Sequence, residues 1–182
     1  GLPALREAVG AIVGLPPDCV LTTQGTALGL FLLAFELCRP GDEVVQVMPC
    51  FPPSRDALVG SGVVVRDEPA TFAEGYRVDA ERVARALTHQ TRLVSLATPQ
   101  NPSGVCTPLA AVEAILAAMS RLAPSALLFI DETYRESVYG DRSTPPSFAS
   151  LDPRIITGAS VSKAHGAPGL RVGWLTVRDA AL

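Results

Sequence analysis

The sequence is poor in the residues that build metal centres, disulfide frameworks and nucleic-acid surfaces. It has two histidines and four cysteines, Cys19, Cys38, Cys50 and Cys106, with no Cys-x-x-Cys pair. We therefore expect no metal site and reduced thiols in a cytoplasmic protein. Aromatic residues make up only 5% and the formal net charge is −3, which offers no basic surface for nucleic acid or an anionic membrane.

Long apolar runs are also missing. Hydrophobic residues make up 48% of the chain, but the longest runs are interrupted within about a dozen residues, whereas a membrane-spanning helix needs roughly 20. No signal-peptide pattern follows Gly1. A length of 182 residues suits one domain with a substantial core.

Helix-like and strand-like segments alternate along the chain. Strands are predicted at Cys19 to Thr22, Glu43 to Val47, Val63 to Arg66, Leu93 to Leu96 and Ala126 to Ile130, with a further one in the run Arg171 to Val177. Helices are predicted at Leu2 to Val13, Thr26 to Cys38, Asp79 to Leu87 and Pro108 to Arg121. This alternation predicts an α/β fold of three αβα layers, with a mainly parallel mixed sheet and helices on both faces. Asp141 to Leu151 is predicted as a surface loop.

The segment from Ser160 to Trp174 places one lysine and one arginine eight residues apart among small residues. A lysine amine can form a Schiff base with an aldehyde, whereas an arginine stays charged and binds phosphate in a forked geometry. Lys163 and Arg171 together suggest pyridoxal phosphate. Trp174 belongs to an alternating run and is predicted to lie in the core.

Two further segments follow predicted strands. Asp131 comes at the carboxyl end of one strand, where open α/β sheets bind their ligands, and a carboxylate there can pair with a protonated pyridine nitrogen. The segment Thr98-Pro-Gln-Asn101-Pro-Ser-Gly104 follows another strand and is full of turn residues, which predicts a rigid loop.

The first predicted strand ends in a glycine turn that opens a helix at Thr26. Backbone amides at such a helix start point outward and bind phosphate. The segment Met48-Pro-Cys-Phe51-Pro follows the second predicted strand. Each of these segments alone is a common turn, cap or surface charge, but their occurrence in one order across the chain favours a common function.

In that order the segments resemble the class I/II aminotransferases, the fold-type I family of pyridoxal phosphate enzymes. The resemblance implies that Lys163 holds the cofactor as a Schiff base and, once released, takes the alpha proton of the substrate. It implies that Asp131 pairs with the ring nitrogen, and that Tyr134 and Asn101 hydrogen-bond the phenolic oxygen. Thr98 stands where the family has an asparagine.

The same resemblance implies how the rest of the cofactor is held. The cofactor phosphate is expected at the amides of Gly25, Thr26 and Ala27, at the Ser160 hydroxyl and at the Arg171 guanidinium, and the Phe51 ring is expected to stack on the pyridine. Residues 1–182 are expected to be a partial, cofactor-binding large domain, without the family's N-terminal segment and C-terminal small domain. The small domain carries the arginine that clamps the substrate carboxylate.

The implied function is transfer of an amino group from an amino acid to a 2-keto acid by a homodimer. Two alternatives use the same cofactor residues: lyases, synthases or decarboxylases on this fold, and the aminotransferase-like sensor domain of bacterial transcription regulators. A dinucleotide-binding domain is disfavoured because no Gly-x-Gly-x-x-Gly follows the first strand. His165 and His89 are predicted to be structural and surface residues respectively.

Overall fold

The computed structural model describes residues 1–140 and 142–178. The chain divides into two compact units. The first comprises Gly1–Leu30 together with the chain from Phe129 onward, and the second comprises Phe31–Leu128.

Five α-helices and a seven-stranded mixed sheet make up the regular structure of the described residues. The helices are α1 Pro3–Val13, α2 Thr26–Leu37, α3 Pro52–Gly60, α4 Ala80–Ala86 and α5 Leu109–Leu122. The strands are β1 Val20–Thr23, β2 Glu43–Met48, β3 Val64–Pro69, β4 Thr91–Ala97, β5 Leu127–Asp131, β6 Ile155–Ser160 and β7 Gly173–Val177. Short 3₁₀ turns occur at Pro17–Cys19, Phe72–Glu74, Phe148–Ser150 and Pro168–Leu170.

In the first unit, β7 lies between β1 and β6 and is antiparallel to both. Thr23 pairs with Gly173, and Gly173 pairs with Ser160, so the carboxyl ends of β1 and β6 meet the start of β7 at one level. A buried cluster supports these strands, formed by Val9, Val13, Leu15, Cys19, Val20, Ala149 and Trp174. The predicted core position of Trp174 is confirmed.

In the second unit, β2 pairs in parallel with both β3 and β4. The first five residues of β2 are all buried. Because successive side chains of a strand point to opposite faces, this unbroken burial requires cover on both faces of the sheet. The strand β3 is largely exposed, and the helix α5 buries Val112, Ile115 and Met119.

The alternating elements and the mainly parallel mixed sheet confirm the predicted fold class. The structure adds β6 and α3, which the sequence patterns did not predict. Within the loop predicted at Asp141 to Leu151, residues 142–147 carry no regular structure, whereas Phe148–Ser150 form a 3₁₀ turn in which Ala149 is buried. Its first residue, Asp141, lies outside the described residues. No helix among the described residues is long and apolar enough to cross a membrane.

Candidate active site

The turn between β1 and α2 carries the start of a helix. Gly25 is buried and has a left-handed φ of 84°, and the Thr23 hydroxyl donates a hydrogen bond of 2.8 Å to the Gly25 carbonyl. α2 begins at the next residue, Thr26. The first N–H groups of a helix have no partner within the helix and favour an anion.

Arg171 lies against this turn. It has a left-handed φ of 52°, a conformation that costs a residue other than glycine about 1–2 kcal/mol. Its guanidinium donates to the Gln24 carbonyl at 3.4 Å and to the Pro168 carbonyl at 3.1 Å. A Cβ added at Gly25 would lie 2.6 Å from Nη2 of Arg171. The guanidinium therefore lies against the start of α2, and glycine at position 25 leaves room for it. We call the guanidinium and the first amides of α2 the cradle.

The second glycine of this cradle is Gly173, the first residue of β7. A Cβ added there would lie 2.7 Å from the Cα of Gly25, so the two backbones touch. A side chain at Gly173 would therefore separate β7 from the turn that opens α2.

Gly25→Ala is expected to weaken pyridoxal phosphate binding by the full-length protein, because the added methyl displaces the Arg171 guanidinium. Gly14→Ala is the matched control, since Gly14 has a similar φ of 76° but open space around it. Both variants should lose about 1 kcal/mol of stability from backbone strain. Fluorescence titration of the apoproteins with cofactor should show weaker binding only for Gly25→Ala, and equal binding by the two variants would contradict the cradle.

Asp131 ends β5 and is partly buried. Its Oδ1 accepts a hydrogen bond of 2.9 Å from the Thr133 backbone N–H. Burial raises the pKa of the Asp131 carboxyl, and hydrogen bonds from the Thr133 side chain and backbone oppose that rise. Within residues 1–140 and 142–178, Asp131 forms no ion pair with a lysine, arginine or histidine. A cation supplied by a ligand would favour the ionised form of this carboxyl.

The cradle and Asp131 are joined by a contact between two hydroxyls. The Thr26 and Thr133 side-chain oxygens lie 3.0 Å apart. Thr133 is two residues beyond Asp131, so the start of α2 and the end of β5 lie together.

Lys163 is the single lysine of the sequence. It is exposed, and its Nζ lies 6.0 Å from the centre of the Tyr134 ring. Gly166 donates its N–H to the Lys163 carbonyl at 3.0 Å, which closes a turn around the lysine. Ser160 is buried at the end of β6, and its hydroxyl accepts the Ser162 N–H at 3.4 Å. Ser160, Lys163 and Tyr134 therefore share one edge of the first unit.

Glu132 and Arg135 form a charged network behind this edge, which the sequence patterns did not predict. Buried Glu132 accepts hydrogen bonds from the Ser147 hydroxyl and the Phe148 N–H, both at 2.7 Å. Arg135 lies 3.3 Å from Glu132. Burial raises the pKa of Glu132, and the hydrogen bonds from Phe148 and Ser147 and the positive charge of Arg135 oppose the rise. Ser147 and Phe148 are 15 and 16 residues from Glu132 in the chain, so no local sequence pattern predicts these contacts.

His165 has a partner that the sequence did not reveal. Its Nε2 lies 3.3 Å from the Glu136 carboxylate, and Arg135 lies 3.2 Å from the same carboxyl group. His165 therefore connects the turn around Lys163 with the turn that carries Tyr134, which fits the structural role predicted for His165.

The other two predicted site residues, Phe51 and Asn101, lie in the second unit. Phe51 precedes α3 and is 43% exposed. Asn101 lies in the loop after β4, where Gly104 donates to the Gln100 carbonyl at 2.7 Å and the Thr107 N–H donates to the Thr98 hydroxyl at 2.8 Å. These bonds give the loop the order that its turn residues predicted. The cofactor roles of both residues stay predictions.

Comparison with known proteins decides the family. The family model for aminotransferase class I and II matches residues 1–182. The chain belongs to this family. Its cofactor is pyridoxal phosphate.

Two curated relatives illustrate the similarity. The chain is 35% identical to an arginine–pyruvate transaminase of Pseudomonas aeruginosa over 164 residues, which are 90% of this chain and 41% of the relative. It is also 35% identical to a capreomycidine synthase of Streptomyces vinaceus over 176 residues, which are 95% of this chain and 44% of the relative.

The fold is also shared with solved aminotransferase structures. A Thermus thermophilus aspartate aminotransferase mutant matches with a TM-score of 0.88 and 28% identity, over 97% of this chain and 50% of that one. The chain therefore spans about half the length of the proteins it matches.

The residues present fit the family's cofactor. The cradle formed by Gly25, Gly173 and Arg171 suits a phosphate, because its donors are helix amides and a guanidinium. Asp131 is a partly buried carboxylate without a cationic partner among the described residues, which suits a protonated pyridine nitrogen. Lys163 supplies an amine for the aldehyde. We found no cluster of three or more metal-ligating side chains in the described part of the chain.

Proposed function

We propose that the full-length protein is a pyridoxal phosphate-dependent aminotransferase that moves an amino group from an amino acid to a 2-keto acid. The observation that carries the proposal is the Thr26–Thr133 contact of 3.0 Å. It joins the cradle to the segment that holds Asp131 and Tyr134, and Tyr134 in turn faces the only lysine.

When bound, the cofactor supplies an aldehyde that exchanges amines and a cationic ring that withdraws electrons. Lys163 holds the cofactor at rest and then acts as the base at the substrate alpha carbon, since a released amine can accept that proton. Asp131 keeps the proton on the ring nitrogen. Tyr134 and Asn101 donate hydrogen bonds to the phenolic oxygen.

The phosphate end fixes the position of the cofactor. The amides of Gly25, Thr26 and Ala27, the Ser160 hydroxyl and the Arg171 guanidinium hold it, and the Phe51 ring limits tilting of the pyridine. Such positioning lowers the entropic part of the barrier.

Arg171→Ala is expected to weaken the affinity of the apoprotein for pyridoxal phosphate by about 10- to 100-fold, because hydrogen bonds to charged groups contribute roughly 1.5–3 kcal/mol. Arg6→Ala is the control: Arg6 lies in the same unit and pairs with the exposed Asp18 at 2.9 Å. Equal affinities for the two variants would remove Arg171 from the phosphate site.

A panel of amino acids with 2-oxoglutarate and pyruvate as acceptors tests the reaction type on the full-length protein. Keto acid release without ammonia supports the aminotransferase. Ammonia release from the donor would favour a lyase, and cofactor binding without turnover would favour a sensor domain.

A synthase is the second candidate function, because one relative at 35% identity is named capreomycidine synthase. Which bond of the substrate breaks would depend on how the residues in contact with the substrate orient it. A synthase would convert its amino acid without consuming any keto acid, which the same panel detects.

We also propose that residues 1–182 are the cofactor-binding large domain of a cytoplasmic homodimer. The family resemblance supports the dimer, and the four cysteines, none of them in a disulfide, support a reducing compartment. Burial raises the thiol pKa of Cys38 and of Cys50, which keeps them unreactive. Light scattering of the full-length protein would give the oligomeric state, and a monomeric mass would refute the dimer.

A further inference from the structure

Thr133 lies between the start of α2 and the carboxylate at the end of β5. Its backbone N–H donates to Oδ1 of Asp131 at 2.9 Å, and its hydroxyl lies 3.0 Å from the Thr26 hydroxyl. We propose that Thr133 is a positioning residue that holds the Asp131 carboxylate toward the cofactor ring and ties it to the phosphate end of the site.

The donor directions in this chain of groups follow from chemistry. The Thr133 side chain also favours the ionised form of Asp131. An ionised carboxylate only accepts hydrogen bonds, so the Thr133 hydroxyl favours that form when its proton is directed toward the carboxylate. In that orientation the Thr26 hydroxyl is the donor of the 3.0 Å contact. The donors then run from the first residue of α2 toward the carboxylate.

Packing holds both threonines in place. The Glu132 N–H donates to the Gly158 carbonyl at 2.8 Å, which fixes the backbone just before Thr133. On the other side, a Cβ added at Gly158 would lie 3.1 Å from Cγ2 of Thr26. The glycine makes room for the Thr26 methyl group, so the hydroxyl keeps its direction toward Thr133.

The contact between Thr133 and Asp131 affects the protonation of the Asp131 carboxyl. Burial favours the neutral form of this carboxyl. Within the described ranges no cation pairs with Asp131 to offset this effect. The Thr133 hydrogen bonds are what favour the ionised form that a protonated pyridine nitrogen needs.

The test replaces the Thr133 hydroxyl with a methyl group in the full-length protein. In the apoprotein, infrared difference spectra recorded against pH follow the carbonyl stretch of the protonated carboxyl, and Asp131→Asn assigns that band. Thr133→Val should raise its midpoint by about 1 pH unit, and Thr133→Ser should restore it. With cofactor and substrates, Thr133→Val should lower kcat roughly tenfold and leave KM little changed, as expected of an interaction that acts on the transition state.

Thr157→Val is the matched control. Thr157 and Thr176 form another buried hydroxyl pair, 2.5 Å apart, in the same unit, and neither is hydrogen-bonded to Asp131. An unshifted midpoint in Thr133→Val, or an equal shift in Thr157→Val, overturns the proposal. Should Thr133→Val not fold, Thr26→Val removes the next donor in the chain and must shift the midpoint in the same direction; no shift there also overturns it.

The inference rests on the proposed function, because the ring that Asp131 faces belongs to the cofactor. The experiments distinguish a failure of the proposed function from a failure of the role of Thr133. If Lys163 does not bind the cofactor, the proposed function fails and the cofactor role of Thr133 fails with it. If Lys163 binds the cofactor and the Asp131 midpoint does not move, only the role of Thr133 fails.

Discussion

Lys163→Ala is expected to abolish the visible absorbance of the cofactor-bound protein and to lower kcat/KM by at least about 10³-fold. The substitution removes both the covalent attachment and the base at the substrate alpha carbon, and a positioned base alone contributes about 10² to 10⁴-fold. No second lysine in the 182 residues can take its place, since the sequence has only this one. Absorbance spectra and initial rates of the full-length protein measure the two effects.

Lys163→Arg distinguishes the chemical role of the lysine amine from the role of its positive charge. A guanidinium stays protonated and forms no Schiff base, so this variant should be as inactive as Lys163→Ala. Activity retained by Lys163→Arg would mean that position 163 contributes only a positive charge, and the catalytic role would be wrong.

Asp131→Asn is expected to lower kcat by roughly 10² to 10³-fold, the range seen when one preorganised electrostatic group is removed from an active site. The amide cannot hold the proton on the pyridine nitrogen. It keeps the shape of the carboxyl and can still accept the Thr133 N–H. Cofactor should therefore still bind, and an unchanged rate would refute the role of Asp131.

The same variant should be more stable than the wild type without cofactor. Burial raises the pKa of Asp131 in the folded state, so the folded state loses stability relative to the unfolded chain as pH rises through that pKa. The amide removes this loss. Urea unfolding of the apoproteins should show a gain of about 0.5–2 kcal/mol at neutral pH that shrinks as the pH falls through the raised pKa toward the ordinary aspartate range and changes no further below that range. Parallel stability curves at all pH values would contradict the expectation.

Much of the fold was predictable because its elements carry local patterns. The strand β5 is a short apolar run that ends in Asp131, and Asp79 caps α4 by accepting the N–H groups of Glu81 and Arg82. Two elements lacked such signals. The strand β6 contains glycine, alanine and serine, and α3 opens with two prolines, which the first turn of a helix tolerates.

The site was predictable in its motifs and unpredictable in its supporting contacts. Gly25 and Arg171 belong to recognisable segments, but only the structure shows the guanidinium against the glycine. Thr133 carries no signal, because its partner Thr26 is 107 residues away. Contacts between residues that are distant in the chain depend on tertiary packing, and the local periodicity of the sequence does not predict them.

Borohydride trapping of the full-length protein is the most direct test of the central claim. The protein is loaded with pyridoxal phosphate, reduced so that any Schiff base becomes a stable secondary amine, digested and analysed by peptide mass spectrometry. The account predicts the added mass of the reduced cofactor on the peptide that contains Lys163. A bound cofactor with that peptide unmodified, or with the mass on another lysine of the full-length protein, would contradict it.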